Sequence, residues 1–311
     1  MNYSIFLTVV VCTYNRSDLL AGCLESLCQQ TIKKDKYEII LVDNNSTDNT
    51  SEIAKGFLDQ SNFRYLLETS PGLSHARNRG LNEAKGEYVG YIDDDARAKY
   101  DWLETAINII NAHQGKIDCL GGPYYPFYTT KKPDWFKDDY EKRGFGEEER
   151  FLKENEYISG SNMIWKKEVL KLIGGFDPNT GIIGNRLRLG EETAAINALK
   201  YSGRRNTIYY SGKLIIYHWV PNNKMEVKYI LKRRFAEGQY RGYRIKSIAG
   251  NNRFIEVRKA TTELIKRFFR FLLDKKNYPL PQNWIVEAGG RVSRALGCLL
   301  ALLGITPKVT Q

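Results

Sequence analysis

The sequence predicts an α/β fold with a mainly parallel sheet flanked by helices, followed by a helical, basic C-terminal extension. Short apolar, β-rich runs alternate with helical patterns over the first 120 residues, which is typical of parallel strands joined by crossover helices. From residue 227 onward the patterns are helical only. The 311 residues are 42% hydrophobic and 27% charged, which excludes a disordered chain, a collagen and a polytopic membrane protein.

The elements of the first 120 residues follow from two kinds of pattern. Runs of apolar and β-branched residues predict strands at 6–12, 37–42, 63–67, 88–92 and 117–120. Apolar residues at helical spacing predict helices at 19–29, 51–58, 74–85 and 102–113. In such a sheet, ligands bind beyond the carboxyl ends of the strands.

After residue 120 the regular alternation of strand and helix patterns stops. Residues 121–156 are rich in glycine, proline and aromatic residues and predict a long loop. Strand and helix patterns resume at 157–171, 192–200, 206–210 and 214–219. Helices are predicted at 227–248, 253–273 and 283–303.

Charge divides the chain into two parts. Residues 1–223 carry 28 Lys and Arg against 30 Asp and Glu, whereas 224–294 carry 18 against 6; the net charge of the chain is +11. We therefore predict one domain over 1–223, with halves 1–120 and 121–223, and a helical basic region over 224–311.

Cysteine usage and hydropathy bear on the compartment. The five cysteines are an odd number without a CxxC pair, which favours a reducing cytosol. The apolar start lacks a basic region and predicts a strand rather than a signal peptide. The longest apolar run, 295–305, is too short to span a membrane but suits an interfacial or buried helix. We expect a cytoplasmic protein, either free or peripheral at the inner face of the cell membrane.

Three carboxylates, Asp93, Asp94 and Asp95, end the strand at 88–92. Adjacent like charges repel, and a divalent cation such as Mg²⁺ or Mn²⁺ removes that cost through hard oxygen ligands. The cluster therefore fits a metal site that bridges to phosphates, and the alternative is a solvated acidic turn.

Two other strand ends carry polar residues. Asp43 ends the second strand, where its carboxylate can accept hydrogen bonds from a base or sugar hydroxyl; the alternative is a helix cap or turn. Residues 13–16 follow the first strand and offer backbone groups and a tyrosine face for a flat ring, or simply a turn. The helix from 74 contains Arg77 near its start, which suits a phosphate, the alternative being a solvated surface helix.

Four motifs in order, VVCTYNR (10–16), VDNNSTD (42–48), GLSHARNRG (72–80) and IDDD (92–95), resemble family 2 glycosyltransferases of the GT-A fold. The resemblance covers roughly residues 5–220. It implies an inverting transfer from a nucleotide-sugar, most often a UDP-sugar, assisted by Mn²⁺ or Mg²⁺. It also implies a nucleotide-sugar half over 1–120 and an acceptor half over 121–223.

The resemblance assigns roles to particular residues of the first half. Those that would meet the nucleotide-sugar are Thr13, Tyr14, Asn15, Arg16, Asp43, Arg77, Asp93 and Asp94. The residues that would hold the metal are Asp93 and Asp95, with His218 similar to a histidine that some relatives use as a further ligand. A structural histidine is the alternative for His218.

The acceptor half holds the expected base. The pair Glu191-Glu192 is similar to the family's Glu-Asp pair but has Glu192 where Asp is usual, so the carboxylate reaches one methylene further. We assign the base to Glu192, with Glu191 as the alternative. Residues near the donor sugar or acceptor would be Trp135, Gly160, Ser161 and Asn162, and for Trp135, which could stack on a sugar face, core packing is the alternative.

Three functions follow, in order of preference. The first is a metal-assisted inverting glycosyltransferase that acts on a glycan or lipid-linked acceptor in surface polysaccharide or glycan synthesis. The second is a metal-dependent nucleotidyltransferase, and the third is a non-catalytic basic protein that binds membrane or nucleic acid. The basic helices favour an anionic membrane surface over nucleic acid, because bulky apolar residues lie among the cations and no nucleic-acid fold signature is present. The alternative is that they pack on the catalytic domain and leave a solvated charged face.

Overall fold

A computed structural model describes residues 5–154, 156–178, 190–249, 252–305 and 307. The chain forms two compact units. The first comprises most of the chain up to Trp219, and the second comprises Tyr128–Tyr140 together with the chain from Val220 onward. The boundary expected at 223 and 224 stays a prediction.

The first unit contains the strands β1 (Leu7–Thr13), β2 (Tyr37–Asp43), β3 (Phe63–Leu67), β4 (Tyr88–Asp93), β5 (Ala96–Ala98), β6 (Cys119–Gly121), β7 (Tyr124–Phe127), β8 (Glu149–Phe151), β9 (Asn162–Lys166), β10 (Ile208–Ser211) and β11 (Ile216–Trp219). Its helices are α1 (Ser17–Cys28), α2 (Thr50–Lys55), α3 (Leu73–Glu83), α4 (Trp102–Ala112), α5 (Lys167–Leu172) and α6 (Glu191–Leu199).

Eight strands form a mixed, mainly parallel sheet in the order β3-β2-β1-β4-β9-β6-β10-β8. The pairs β1–β2, β1–β4, β2–β3 and β6–β10 are parallel, whereas β8 and β9 run antiparallel to their neighbours. The predicted fold class is confirmed. Side chains of β1 alternate between two cores: Val9 and Val11 pack on one face of the sheet and Val10 on the other.

The close approach of α3 to β1 explains why position 80 is a glycine. A Cβ at Gly80 would lie 2.4 Å from Val10 Cγ1, so only a residue without a side chain lets this helix pack against the strand. The packing holds the start of α3 near the carboxyl end of β1.

The prediction of a long loop over 121–156 is wrong in two places, and β5 is also missing from the predicted elements. The segment contains β7 and β8, and these strands pair with β11 and β10, which come much later in the chain. The three strands are three or four residues long, and their hydrogen-bond partners are distant in sequence, so no local pattern identifies them.

A second, three-stranded sheet has the order β5-β11-β7. In the antiparallel pair β5–β11, His218 lies opposite Ala96, the residue directly after the three carboxylates. The Trp219 N–H also donates to the Asp95 carbonyl at 2.9 Å. This small sheet therefore brings a histidine from the end of the first unit to the end of β4.

The second unit is mainly helical, with α7 (Val227–Ala249), α8 (Arg253–Leu273), α9 (Pro281–Trp284) and α10 (Gly290–Leu303). The backbones of α7 and α10 approach closely: an added Cβ at Gly238 would meet the Arg294 carbonyl at 2.0 Å, and one at Gly297 would meet the Phe235 carbonyl at 2.2 Å. The apolar run expected at 295–305 thus forms a helix contact, with Ala301 and Leu302 buried. Among the described residues, no helix combines the length and the apolar character needed to cross a membrane.

Candidate active site

The carboxyl ends of β1, β2 and β4 meet at one edge of the large sheet. In the strand register Thr13 lies opposite Asp43, and Cys12 lies opposite Asp93. Three of the four sequence motifs therefore converge here because parallel strands present their carboxyl ends at the same edge. The fourth motif lies in α3, which follows β3.

The three carboxylates and His218 form a compact cluster. His218 Nε2 lies 3.2 Å from Asp95 Oδ1 and 3.6 Å from Asp93 Oδ2. One ligand atom from each of Asp93, Asp95 and His218 lies within 4.8 Å of the others. His218 Nδ1 lies 3.1 Å from the Trp219 carbonyl oxygen, which accepts a hydrogen bond when Nδ1 carries the proton. Nε2 then faces two carboxylates and needs either a second proton or a cation between them.

Arg16 closes the opposite side of this cluster. Its Nη1 donates to Asp95 Oδ2 at 2.6 Å and lies 3.9 Å from Asp94 Oδ1. Asp95 therefore uses one oxygen for Arg16 and turns the other towards His218.

Two neighbouring carboxyls of the cluster titrate in opposite directions. Burial and the adjacent Asp95 charge raise the pKa of Asp94 to about 7. Asp93 is also desolvated, but His218, Arg77 and Ser161 stabilise its carboxylate and hold its pKa below the ordinary value. The cluster thus keeps Asp93 charged and disfavours a charge on Asp94.

Arg77 links the carboxylate cluster to α6. Its side chain is 3% exposed, and Nη1 donates to Glu191 Oε1 at 2.9 Å while Nη2 lies 3.6 Å from Asp93 Oδ1. The guanidinium carbon lies 5.3 Å from the centre of the Phe176 ring and 5.9 Å from that of Tyr91. A cation this deeply buried is stable because carboxylates and aromatic rings surround it.

The two glutamates at the start of α6 have different surroundings. Gly190, at φ 116°, turns the chain into the helix in a conformation that other residues rarely adopt. Glu191 is buried and paired with Arg77, whereas Glu192 is half-buried. Burial and the adjacent Glu191 raise the pKa of Glu192 to about 8. A carboxyl with a pKa near neutrality suits proton transfer better than one held in an ion pair.

Hydrogen bonds join the loop after β2 to the loop after β1 and also hold the carboxylate at the end of β2. The Ser46 N–H and the Tyr65 hydroxyl each donate to Asp43 at 2.8 Å, one to each carboxylate oxygen. Asn15 has φ 53°, and its Oδ1 accepts from the Thr47 N–H at 2.7 Å. Thr13 is buried and Tyr14 is 50% exposed. These contacts fix the two loops that the sequence predicts to meet the nucleoside.

Two residues of the turn that leads into β9 contact the carboxylate cluster or Arg77, whereas the third points into the core. Ser161 Oγ donates to Asp93 Oδ2 at 2.5 Å, and the Gly160 carbonyl accepts from Arg77 at 3.4 Å. Asn162 is fully buried; its Nδ2 donates to the carbonyls of Pro123 and Leu214, and its Oδ1 accepts from Trp102. Its amide thus joins parts of the core, and the role of Asn162 near the donor sugar or acceptor stays a prediction.

Trp135 lies in the second unit. It contacts the rings of Phe136 and Tyr140 there, with centroid separations of 5.6 and 6.2 Å. Phe136 and Tyr140 are both buried in this aromatic cluster. The role of Trp135 at the acceptor stays a prediction.

Two residues of the site were missed by sequence reasoning. Asn44 donates to the carbonyls of Glu68 and Ser70 and accepts from the Gly72 N–H at 2.7 Å, so it holds the loop before α3. Tyr65, which binds Asp43, lies on β3 opposite Leu41. Asn44 follows Asp43 in the second motif, which was a usable signal, whereas Tyr65 becomes visible only through strand register.

Comparisons with known proteins find a matching family model and several relatives of this chain. The family model described as Glycosyl transferase family 2 matches residues 8–174. The glucosyl-dolichyl phosphate glucuronosyltransferase of Haloferax volcanii is 27% identical over an alignment of 241 residues that covers 74% of this chain and 74% of that protein. Several other curated relatives are matched over less than half of their own length.

Two solved structures have the same fold. A mannosyltransferase from Pyrobaculum calidifontis, in complex with GDP-Man and Mn²⁺, superposes with a TM-score of 0.62 at 18% identity, over 94% of this chain and 86% of that one. Staphylococcus aureus TarS 1–349, in complex with UDP-GlcNAc, superposes with a TM-score of 0.57 at 21% identity, over 70% of this chain and 59% of that one.

Proposed function

The chain belongs to glycosyl transferase family 2, and from this premise we propose that it moves a sugar from a UDP-sugar to a hydroxyl of a glycan or lipid-linked acceptor, with inversion. The observation that carries the proposal is the position of Arg77 between Asp93 of β4 and Glu191 of α6. Arg77 thus connects two groups of carboxylates. The cluster that contains Asp93 is suited to a metal-bound diphosphate, and the pair that contains Glu191 is suited to deprotonating an acceptor.

The donor set of Asp93, Asp95 and His218 fits a divalent cation. Two carboxylates and an imidazole suit Mn²⁺ in particular, and Mg²⁺ also accepts carboxylate oxygens. A cation between these groups also resolves the unfavourable approach of His218 Nε2 to two acceptors. When bound, the metal would act as a Lewis acid that stabilises charge on the diphosphate leaving group.

The protein's own groups would do the remaining work. Glu192 would accept the proton of the acceptor hydroxyl as that oxygen attacks the anomeric carbon, and a single displacement inverts this carbon. Glu191 would keep Arg77 in place, and Arg77 would lie near the diphosphate as a fixed positive charge. The loops at 13–16 and 43–48 would hold the nucleoside, with Thr13, Tyr14, Asn15 and Asp43 in contact with it.

A donor screen tests the proposal. The full chain is incubated with UDP-, GDP- and other nucleotide-sugars, with Mn²⁺ or with a chelator, and the released nucleotide is identified. We expect release of a nucleoside diphosphate from one donor, dependent on the metal and increased by an acceptor. A parallel reaction with a nucleoside triphosphate and a sugar 1-phosphate serves as the alternative test, and release of pyrophosphate there would indicate a nucleotidyltransferase instead.

The metal assignment has its own control. His218→Gln should weaken Mn²⁺ binding at least about tenfold, the lower end of the loss seen for removing even an outer partner of a metal ligand. His113→Gln is the matched control, because His113 packs on Tyr209 and Phe151 away from the carboxylate cluster. Equal Mn²⁺ affinity of both variants would remove His218 from the metal site.

A further inference from the structure

The outward surface of α8 carries an unusual concentration of large apolar side chains. Seven of them are exposed, from Phe268 at 48% to Phe254 at 89%; the others are Ile255, Ile265, Phe269, Leu272 and Leu273. At 3.6 residues per turn these seven side chains fall within an arc of about 140°. Arg258, Thr261 and Thr262 also fall within this stripe, so its apolar side chains form a small group at 254–255 and a larger one over 265–273. A soluble protein rarely exposes a large apolar patch unless the patch binds something.

Basic residues border the stripe on one side. Lys259, Lys266 and Arg270 are exposed and follow the apolar arc within roughly another 60° of the helix surface. Both carboxylates of the helix, Glu256 and Glu263, project beyond this basic border and outside the apolar arc. An apolar stripe with a cationic border is the pattern of a helix that lies in the interface of an anionic membrane.

A cationic cavity adjoins the basic border. Its volume is about 280 Å³, and it is lined by residues of α7, α8 and α10. Five cations and two carboxylates line it, with Ala260, Ala295 and Leu302 as apolar walls. Lys259 belongs both to the border and to the cavity, so the two features are continuous.

The cations of the cavity are incompletely neutralised. Lys259 pairs with Glu256 at 2.6 Å and Arg267 with Glu263 at 2.5 Å, while Arg294 pairs with Glu237. Among the residues that the structure describes, Arg241 and Arg291 have no carboxylate partner. Two guanidinium groups facing one cavity form a suitable site for a phosphate, which they can bind through paired N–H donors.

We propose that this face, the exposed stripe of α8 together with the cationic cavity, binds the surface of an anionic phospholipid bilayer. The apolar side chains enter the acyl boundary, the border cations contact headgroups, and the cavity receives a lipid phosphate. A second copy of the chain is a poorer occupant, because it would bring two cationic borders together. This inference does not depend on the proposed sugar transfer.

Vesicle flotation of the full chain, without donor or metal, tests the proposal. Binding to vesicles that contain phosphatidylglycerol should exceed binding to pure phosphatidylcholine by at least roughly tenfold and should weaken as salt is added. Phe269→Ser with Leu273→Ser should reduce binding at least roughly tenfold. The control is Leu172→Ser with Tyr201→Ser, which removes side chains 72% and 80% exposed in the first unit and should change nothing.

The cavity is tested separately. Arg241→Gln with Arg291→Gln should reduce binding to the anionic vesicles roughly thirtyfold, because each basic residue near such a surface contributes about 1 kcal/mol. Its control, Lys55→Gln with Lys213→Gln, removes two exposed lysines of the first unit. Unchanged thermal unfolding of every variant establishes that the fold survives.

Three results would overturn the proposal. The first is an absence of flotation with anionic vesicles at low salt. The second is a dimer, found by sedimentation, that Phe269→Ser with Leu273→Ser dissociates while vesicles are not bound. The third is stabilisation of the chain by inorganic phosphate through Arg241 and Arg291 without vesicle binding, which would make the cavity a site for a soluble anion.

Discussion

The two units use charged residues in opposite ways. In the candidate site of the first unit a cation is buried among carboxylates, because Arg77 lies between Asp93 and Glu191 with 3% of its side chain exposed. In the second unit, the cations of α8 lie outside and border an exposed apolar stripe. The difference shows that a net charge of +11 says little about function until the charges are located.

The largest predicted loss of sugar transfer is for a substitution of Asp95, and it tests whether the charges of the two units serve different activities. Asp95→Asn removes a proposed metal ligand and the partner of Arg16, so sugar transfer should fall on the order of a thousandfold or more. Vesicle binding should be unchanged, because Asp95 belongs to the first unit. Asp101→Asn, which removes a partner of Lys99, is the control and should keep both activities. Full transfer by Asp95→Asn would refute the metal assignment.

The next effect separates the two glutamates of α6. Glu192→Gln should lower kcat by roughly 10²- to 10⁴-fold if it is the general base, with little change in KM. Glu191→Gln should instead destabilise the fold, because it leaves the buried Arg77 with only the more distant Asp93. Steady-state kinetics and thermal unfolding of both variants distinguish the two roles. An unchanged kcat for Glu192→Gln would mean that Glu192 is not the general base and would favour Glu191 instead.

A third prediction concerns pH. With a pKa of about 8, Glu192 is protonated at lower pH and cannot accept a proton, so kcat/KM should rise with pH through about 8. Its folded pKa exceeds the ordinary value of 4.5, so folding loses stability as pH rises from 4.5 to 8. Gln does not titrate, so Glu192→Gln should gain thermal stability relative to the native protein across that window. A difference in midpoint that stays constant with pH would contradict the raised pKa.

The fourth prediction concerns Asn162. Asn162→Ala leaves the carbonyls of Pro123 and Leu214 and the indole N–H of Trp102 without their partner, so the free energy of unfolding should fall by about 3 kcal/mol. Urea unfolding measures this loss. An unchanged midpoint would show that water replaces the amide.

The smallest effect on stability is expected on α8. Each of Phe269→Ser and Leu273→Ser should change the free energy of unfolding by less than about 0.5 kcal/mol, because both side chains are already exposed. Urea unfolding of the same variants used for flotation provides the measurement. A loss as large as that for Asn162→Ala would mean that the stripe belongs to the core.

Much of the fold was predictable because its signals are local. The runs at 37–42 and 63–67 match β2 and β3 to within a residue, and α7 and α8 begin at the predicted residues 227 and 253. Strand β9 lies within a predicted strand-and-helix pattern, but its antiparallel place between β4 and β6 is set by long-range pairing. Likewise β7 and β8 gain their hydrogen bonds from β11 and β10, so their short sequences carry too little information.

The candidate site divides in the same way. Sequence motifs identify Asp43 and the three carboxylates, since polar residues after buried strands are recognisable and parallel strands bring them together. Which oxygen faces which partner is not a local property. The pairing of β5 with β11 brings His218 to Asp95, and the burial of Arg77 ties Glu191 to Asp93.

The sequence by itself determined the fold class, the family and the edge of the sheet where the candidate site lies, because periodicity and motif order are encoded residue by residue. Only the tertiary structure decided that Glu191 is held by Arg77 while Glu192 keeps a raised pKa, and that α10 packs on α7 while α8 keeps its apolar side chains exposed. Burial and ion pairing depend on distances between segments far apart in the chain, and these distances exist only after folding.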